Sequence, residues 1–369
     1  MTAAPSDEYP RSSAFIRVPK KESISMKSMR LGRTELQVSR VGIGGIPLQR
    51  PAEAEAVRVV QRALDLGVTF IDTAAGYGPS EERIGLALEG RRQGVVIATK
   101  SGQADAAGAR QELERSLRRL RTDYIDVWQL HNYSTAERYA QALGPGGALE
   151  MAQAARQAGL IRYIGLSSHN PGVAARAIAS GLFDTIQYPM NYIALEAADA
   201  LLPLAEQHDV GVIAMKPFAG GMLSRADLAI KYLLQFDRVI ADPGVQSVAE
   251  VEELVGVVES GAWALGPEDW AAMARDREAL GTRFCRNCEY CMPCPQGVNI
   301  PMVMITPKMW KLWPPELFRD PAWWYSAAVL SGKQCAQCGE CEARCAFGLP
   351  IREMIAEHLA FYERVAAGG

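Results

Sequence analysis

Between residues 26 and 266 the chain alternates eight short apolar, often β-branched runs with stretches of amphipathic helical period. The runs fall at 41–44, 69–72, 95–99, 125–129, 163–166, 185–187, 211–215 and 239–242. Seven of them have a helix-like segment before the next run or after it, and strand–helix alternation of this kind builds a parallel sheet. Val57, Val60 and Leu64 share one helix face, and Gly67 stops that helix ahead of the next run. Leu113, Leu117 and Leu120 mark a second face, flanked by Glu114, Arg115, Arg118 and Arg119. Eight units fill the usual length of a barrel, roughly 250 residues. The expected fold is therefore α/β, a (β/α)8 TIM barrel. A Rossmann fold is the rival, but no G-x-G-x-x-G follows the first run.

At 369 residues the chain is too long for that barrel alone. Three segments are expected: a polar arm at 1–25, the barrel at 26–279, and a second domain at 280–369. The last segment shifts in composition, holding all eight cysteines, several prolines, and Trp310, Trp313, Trp323 and Trp324. Hydrophobic residues make up 49%, enough for a sizeable core, and a net charge of −3 gives no electrostatic reason to expect nucleic acid. No apolar run approaches the roughly 18 residues that a membrane span needs. The first 25 residues lack the apolar stretch of a secretory signal. Free thiols without an export signal point to the cytoplasm.

A barrel displays its reactive groups where strands end. The second run ends in F-I-D-T-A-A-G-Y-G, with Asp72 and Tyr77. The third ends in I-A-T-K-S, with Lys100, and the fourth in V-W-Q-L-H-N, with His131. Each alone has an ordinary reading: Asp72 as a helix cap, Lys100 as a solvated cation, His131 as a satisfied core histidine. The order and strand-end placement of all four argue for one shared site.

With these motifs, and with L-G-R-T-E-L-Q-V-S-R-V-G-I-G-G at 31–45, the chain resembles the aldo-keto reductase family over about residues 26–260. The resemblance implies an NAD(P)H-dependent oxidoreductase that interconverts a carbonyl and an alcohol. Tyr77 would be its general acid/base, assisted by Lys100, Asp72 and His131. A free phenol has a pKa near 10, so a nearby ammonium is expected to lower that of Tyr77, with Asp72 orienting the ammonium. His131 would hydrogen-bond the carbonyl oxygen.

The same resemblance implies a nicotinamide across the barrel mouth, its carboxamide held by Ser167, Ser168 and Gln187. In many relatives an asparagine stands at the Ser168 position. Met215, Lys216, Pro217, Gly220 and Gly221 follow the seventh run, and Gly244, Gln246 and Ser247 the eighth. These are the two loops that commonly build a barrel's phosphate site. A helix starting after Ser247 would favour anions, although such glycines are by themselves usually only turns. Family members preferring NADPH often carry a cation at the position of Gln246, and Glu253 and Leu254 stand where an asparagine near the adenine is usual. Without that cation a 2′-phosphate loses a charge-assisted partner, which points to NADH over NADP(H).

The cysteines form two runs: Cys285, Cys288, Cys291 and Cys294 as C-x2-C-x2-C-x2-C-P, and Cys335, Cys338, Cys341 and Cys345 as C-x2-C-x2-C-x3-C. This spacing matches the bacterial ferredoxin arrangement, in which the fourth cysteine of each run ligates the other run's cluster. Two [4Fe–4S] clusters are expected, one on Cys285, Cys288, Cys291 and Cys345, the other on Cys335, Cys338, Cys341 and Cys294. Zinc is the rival, but zinc knuckles usually pair two C-x2-C units across a longer loop. C-P-Q-G-V-N-I-P from Cys294 and L-P-I-R-E-M-I after Cys345 resemble the ferredoxin-like extension of one branch of the family, Ala346 replacing a common proline. The long spacer and a helix-like 351–366 imply an α-helical, ferredoxin-like iron–sulfur domain.

A chemical gap remains, because nicotinamide yields two electrons together and each cluster passes one, yet no flavin fingerprint is present. Two alternatives follow: a redox-neutral epimerase with tightly held nicotinamide, or a non-catalytic electron-transfer or regulatory subunit. The expected partners are a small carbonyl or alcohol substrate and an electron-carrier protein, with no nucleic acid and no membrane.

Overall fold

The computed structural model describes residues 28–368 except 196, 282 and 346; the expected arm at 1–25 lies outside the described residues. The described residues open with an antiparallel hairpin, β1 (Ser28–Arg30) and β2 (Gln37–Ser39). Eight parallel strands follow in sequence order: β3 (Ile43–Gly44), β4 (Phe70–Asp72), β5 (Val96–Ser101), β6 (Ile125–Leu130), β7 (Ile161–Ser167), β8 (Thr185–Pro189), β9 (Gly211–Met215) and β10 (Val239–Asp242). Parallel bridges from Val41 to Ala241 and from Gly44 to Gly244 bring β3 back to β10, so the sheet closes. All eight expected runs are strands of this barrel.

Helices alternate with them: α1 (Glu53–Asp65), α2 (Ser80–Ala87), α3 (Ala106–Leu120), α4 (Ala136–Leu143), α5 (Ala148–Gln157), α6 (Pro171–Ala179), α7 (Leu202–Gln207), α8 (Ala226–Leu234), α9 (Val248–Glu259) and α10 (Pro267–Gly281). Their ends follow local chemistry. Asp105 caps α3 by accepting from the Gly108 N–H at 2.8 Å, and Arg121 ends it in the left-handed region. Strands β5 and β6 are buried at every residue, as expected of a parallel sheet covered on both faces.

Two cores result. One lies between the sheet and its helices, while the other fills the barrel interior with Phe70, Val96, Val127, Ile213 and Ile240. Met29, Leu36 and Val38 of the hairpin plug the floor of that interior. The hairpin escapes sequence reading because three-residue strands are too short to show a period of two.

Beyond α10 come α11 (Ile300–Met304), α12 (Thr306–Leu312), α13 (Trp324–Leu330), α14 (Glu340–Ala343) and α15 (Ile351–Ala366). No strand occurs among the described residues after β10, so this region is helical as expected. It has two small cores of its own. Val298, Ile300, Val303, Met354 and Ile355 pack with the cysteines, and Phe318, Trp323, Tyr325 and Tyr362 form an aromatic cluster.

The C-terminal region lies directly over the barrel mouth. Arg50 donates to the carbonyls of Trp310 and Lys311, and Gln49 to that of Leu312 at 3.3 Å. Across the mouth, Lys311 donates to the Gly221 carbonyl. Gly220 and Gly221 have φ of +72° and +86°, and a Cβ at either would come within 2.8–2.9 Å of the Lys308 or Lys311 stem. Helix α12 can seat on this turn only because both residues lack side chains.

Candidate active site

Strand ends β4 and β5 bring Asp72 and Lys100 together. The Lys100 ammonium donates to Asp72 Oδ2 at 2.5 Å and to the Thr73 carbonyl at 2.6 Å, both side chains being buried. It also lies 5.0 Å from the centre of the Tyr77 ring. Tyr77 Oη stands 3.5 Å from His131 Nε2, the two rings meeting edge to face. The structure therefore brings these four side chains together.

Burial alone would lower the pKa of Lys100, but the charge of Asp72 and its hydrogen bond outweigh it and raise the pKa. Lys100 remains an ammonium. Tyr77 departs from the expectation: burial raises its pKa, and Lys100 only partly offsets this. The phenol thus keeps its proton. Burial, reinforced by Lys100, Arg138 and Lys216, pushes His131 down to about 3 and leaves a neutral imidazole.

Asp242, at the end of β10, was not among the expected site residues. Its Oδ2 accepts from Gln187 Nε2 at 3.0 Å, and its Oδ1 is buried without a partner. Burial and the adjacent Asp72 hold its carboxyl well above the usual range, so of the two acids Asp242 keeps the proton. Applying the strand-end rule to the eighth run as well as to the second would have found it. Gln129 Nε2 lies 3.2 Å from both Asp72 Oδ1 and Gln187 Oε1, so Gln187 is tied into the barrel interior on both sides of its amide.

From this cluster a cavity of about 540 Å³ runs to the opposite rim. That volume suits a large organic ligand. Tyr77, Asp72 and Gln187 lie at one end, and Gln246, Glu253 and Leu254 at the other. Met215, Lys216, Pro217, Gly220, Gly221 and Gly244 line the wall between, and Trp310 and Lys311 of the C-terminal region close it. Ser167 and Ser168 are buried beside β7; Ser167 Oγ accepts from the Asn132 N–H at 2.8 Å, and Ser168 Oγ lies 3.1 Å from the Asn170 N–H. Neither lines the cavity described here. Ser247 caps α9, while Glu250 Oε2 reaches back to the Gln246 N–H at 2.8 Å. That contact places a carboxylate at the rim beside Gln246.

Among the C-terminal aromatics, Trp310 lines the cavity, whereas Trp313, Trp323, Trp324 and Tyr325 pack on one another. No local signal marks Arg50 and Lys311 as neighbours, because they lie far apart in sequence.

The chain matches the Aldo/keto reductase family over residues 40–238. It belongs to that family. An oxidoreductase of Bacillus subtilis, "Uncharacterized oxidoreductase YqkF", is 30% identical over 217 residues, which are 55% of this chain and 68% of that protein. The fold is similar to that of aldo-keto reductase AKR11C1 from Bacillus halodurans in its holo form, with a TM-score of 0.60 and 28% identity over 68% of this chain and 96% of that one. An aldo-keto reductase from Klebsiella pneumoniae in complex with NADPH matches with a TM-score of 0.57 and 26% identity, covering 68% of this chain and 94% of that one. As a family member this protein is an NAD(P)-dependent oxidoreductase. The family match ends before the first cysteine.

The eight cysteines sort into two cages. Cys285, Cys288, Cys291 and Cys345 line one, and Cys294, Cys335, Cys338 and Cys341 the other. Burial, with Cys285 and Cys288 adding to it, pushes the Cys291 thiol up to about 12. Among the described residues, no group of three or more His, Cys, Asp or Glu converges as the ligands of a single metal ion. No helix is long and apolar enough to cross a membrane.

Proposed function

We propose that this aldo-keto reductase reduces an aldehyde or ketone to an alcohol, with Tyr77 as proton donor, Lys100 and Asp72 as its electrostatic support, and His131 orienting the carbonyl. The convergence of Tyr77 with His131 and Lys100 at one end of the cavity carries this reading. A reduced nicotinamide bound along the cavity would supply hydride.

The chain's own residues handle the proton. A carbonyl oxygen placed between Tyr77 Oη and the neutral His131 ring accepts two hydrogen bonds, which strengthen as negative charge grows on it. Tyr77 then gives up its proton. The phenolate left behind faces the Lys100 ammonium, which Asp72 holds in place. Trp310 and Lys311 cover the cavity and limit water.

The dinucleotide would lie between the glycine turn after β9 and the N-terminus of α9. The acidic rim of Glu250 and Glu253, with Gln246 in place of a cation, favours NADH over NADPH. Arg50 and Lys311 lie across the cavity but are engaged by backbone carbonyls.

The two cages fit a pair of [4Fe–4S] clusters in a ferredoxin-like domain. A cubane binds each thiolate to a different iron, so its cysteines surround a space instead of meeting at a point. Four thiols gathered around one cage form a donor set that metal binding would deprotonate. Each cage draws its fourth cysteine from the other run, the crossed arrangement that the spacing implies.

Steady-state reduction of an aldehyde panel by anaerobically purified Tyr77→Phe tests the reading. Turnover is expected to fall about 10²–10⁴-fold, the usual worth of a general acid, with NADH affinity kept. Undiminished turnover would remove Tyr77 from the chemistry and leave the protein's electron traffic to the cysteine domain.

A further inference from the structure

The two cages sit differently in the molecule. The cage of Cys285, Cys288, Cys291 and Cys345 lies against the barrel. Asn170, which caps α6, donates to the Cys288 carbonyl at 3.2 Å, and Arg286, which lines this cage, donates to the Ile193 carbonyl at 3.2 Å. The cage of Cys294, Cys335, Cys338 and Cys341 meets it at Ile300, which lines both, and its Cys338 is exposed. The first is the inner cage and the second the outer.

Two lysines belong to the inner cage. Lys308 is buried on α12, its stem packed against Gly220 of the barrel. Its Nζ donates to the Cys285 carbonyl at 2.9 Å and lies 4.2 Å from the centre of the Phe284 ring. Lys216, the residue after β9, lies behind it. Burial raises the pKa of the Cys285 thiol, and Lys308 and Lys216 are the cations that act against that rise. The influence is mutual: burial disfavours the charge of both lysines, and the negative group acting on both is Cys285.

The outer cage has no such surplus. Arg352 and Arg344, which line it, pair with Glu342 at 2.7 Å and with Glu340 at 3.8 Å. Arg286 and Glu289 at the inner cage are also of opposite sign, so the lysines are what sets it apart. A buried cation is costly without a counter-charge. Four thiolates around an iron–sulfur cube leave it negative overall, and each electron added deepens that charge. A buried ammonium, little screened by salt, stabilises the added charge.

We propose that Lys308, backed by Lys216, is the internal counter-charge of the cluster in the inner cage and raises its reduction potential without raising that of the outer one. The proposal rests on the reading of the cages as [4Fe–4S] sites.

The test is a potentiometric titration of anaerobically purified, full-length protein with dithionite, followed by electron paramagnetic resonance. Each cluster takes up one electron from dithionite, and no bond forms or breaks. The inner signal is the one lost in Cys345→Ser, and the outer signal the one lost in Cys294→Ser. In Lys308→Met the equilibrium constant for reducing the inner cluster is expected to fall about tenfold, which is ~59 mV for one electron. The outer potential should stay in place, and Lys308→Arg, which keeps the charge, should recover most of the loss. An inner potential that does not move, or that falls by the same amount as the outer one, overturns the proposal. Should Lys308→Met fail to fold or to hold iron, Lys216→Met decides: a fall of about threefold at the inner cluster alone supports the proposal, and no fall overturns it. A wild type without iron or paramagnetic signals would remove the cluster reading and this inference together, whereas two signals with unmoved potentials would remove this inference alone.

Discussion

The barrel mouth and the cysteine region solve the problem of buried charge in opposite ways. At the mouth, Lys100 and Asp72 neutralise each other within the protein, 2.5 Å apart. In the cysteine region burial raises the pKa of Cys285, Cys288 and Cys291, and at Cys285 the nearby Lys308 offsets it only in part. The first site is organised by the fold itself. The second gathers eight cysteines around two cages. The difference shows in composition as well: one region is built on a continuous sheet, and the other on short helices wrapped around the cages.

The sharpest distinction is expected from the cages. Cys345→Ser and Cys285→Ser should remove the same cluster signal by electron paramagnetic resonance, and Cys294→Ser should remove the one lost in Cys341→Ser. Pairing by run, with Cys294 grouped with Cys285, would contradict the crossed arrangement. At the mouth, Lys100→Met leaves Asp72 buried without its cation. That should lower stability by about 3–5 kcal/mol in denaturant unfolding, as well as impairing turnover; a loss under about 1 kcal/mol would mean that the pair is not the fold's internal counter-charge.

Between the two regions, Gly221→Ala sets a side chain against the Lys311 stem at positive φ. A stability loss of about 1–2 kcal/mol is expected from the backbone alone, together with faster NADH release measured by stopped-flow fluorescence. Unchanged release would detach α12 from cofactor retention. The smallest effect is expected at the acidic rim. Gln246→Arg should shift the NADPH-to-NADH ratio of kcat/KM by about tenfold, since a charge-assisted contact contributes about 1.5–3 kcal/mol before the repulsion of Glu250 is subtracted.

Much of this site could be read in the chain because strands end where chemistry is displayed. Asp72, Lys100 and His131 stand at or beside the ends of three successive strands, and Tyr77 follows five residues after the first. Asp242 was harder to read, and Gln187, expected as a cofactor contact, lines the cavity while its amide is also bound to Gln129 and Asp242. The glycines after β9 were read as a phosphate turn, and the structure adds the seat of α12 as a second reason for them. The direction of the Tyr77 shift was misjudged, because the sequence shows that Lys100 is near but not how deeply the phenol is buried.

By itself the sequence determined the barrel, the four clustered groups and the grouping of the cysteines, because strand period, strand-end position and ligand spacing are local properties. Only the tertiary structure decided what covers the mouth. Arg50 meets Trp310 and Lys311, and His169 meets Lys216, across separations that no local pattern encodes. Such contacts arise when packing brings distant surfaces together, and burial then decides which of the assembled groups keep their protons.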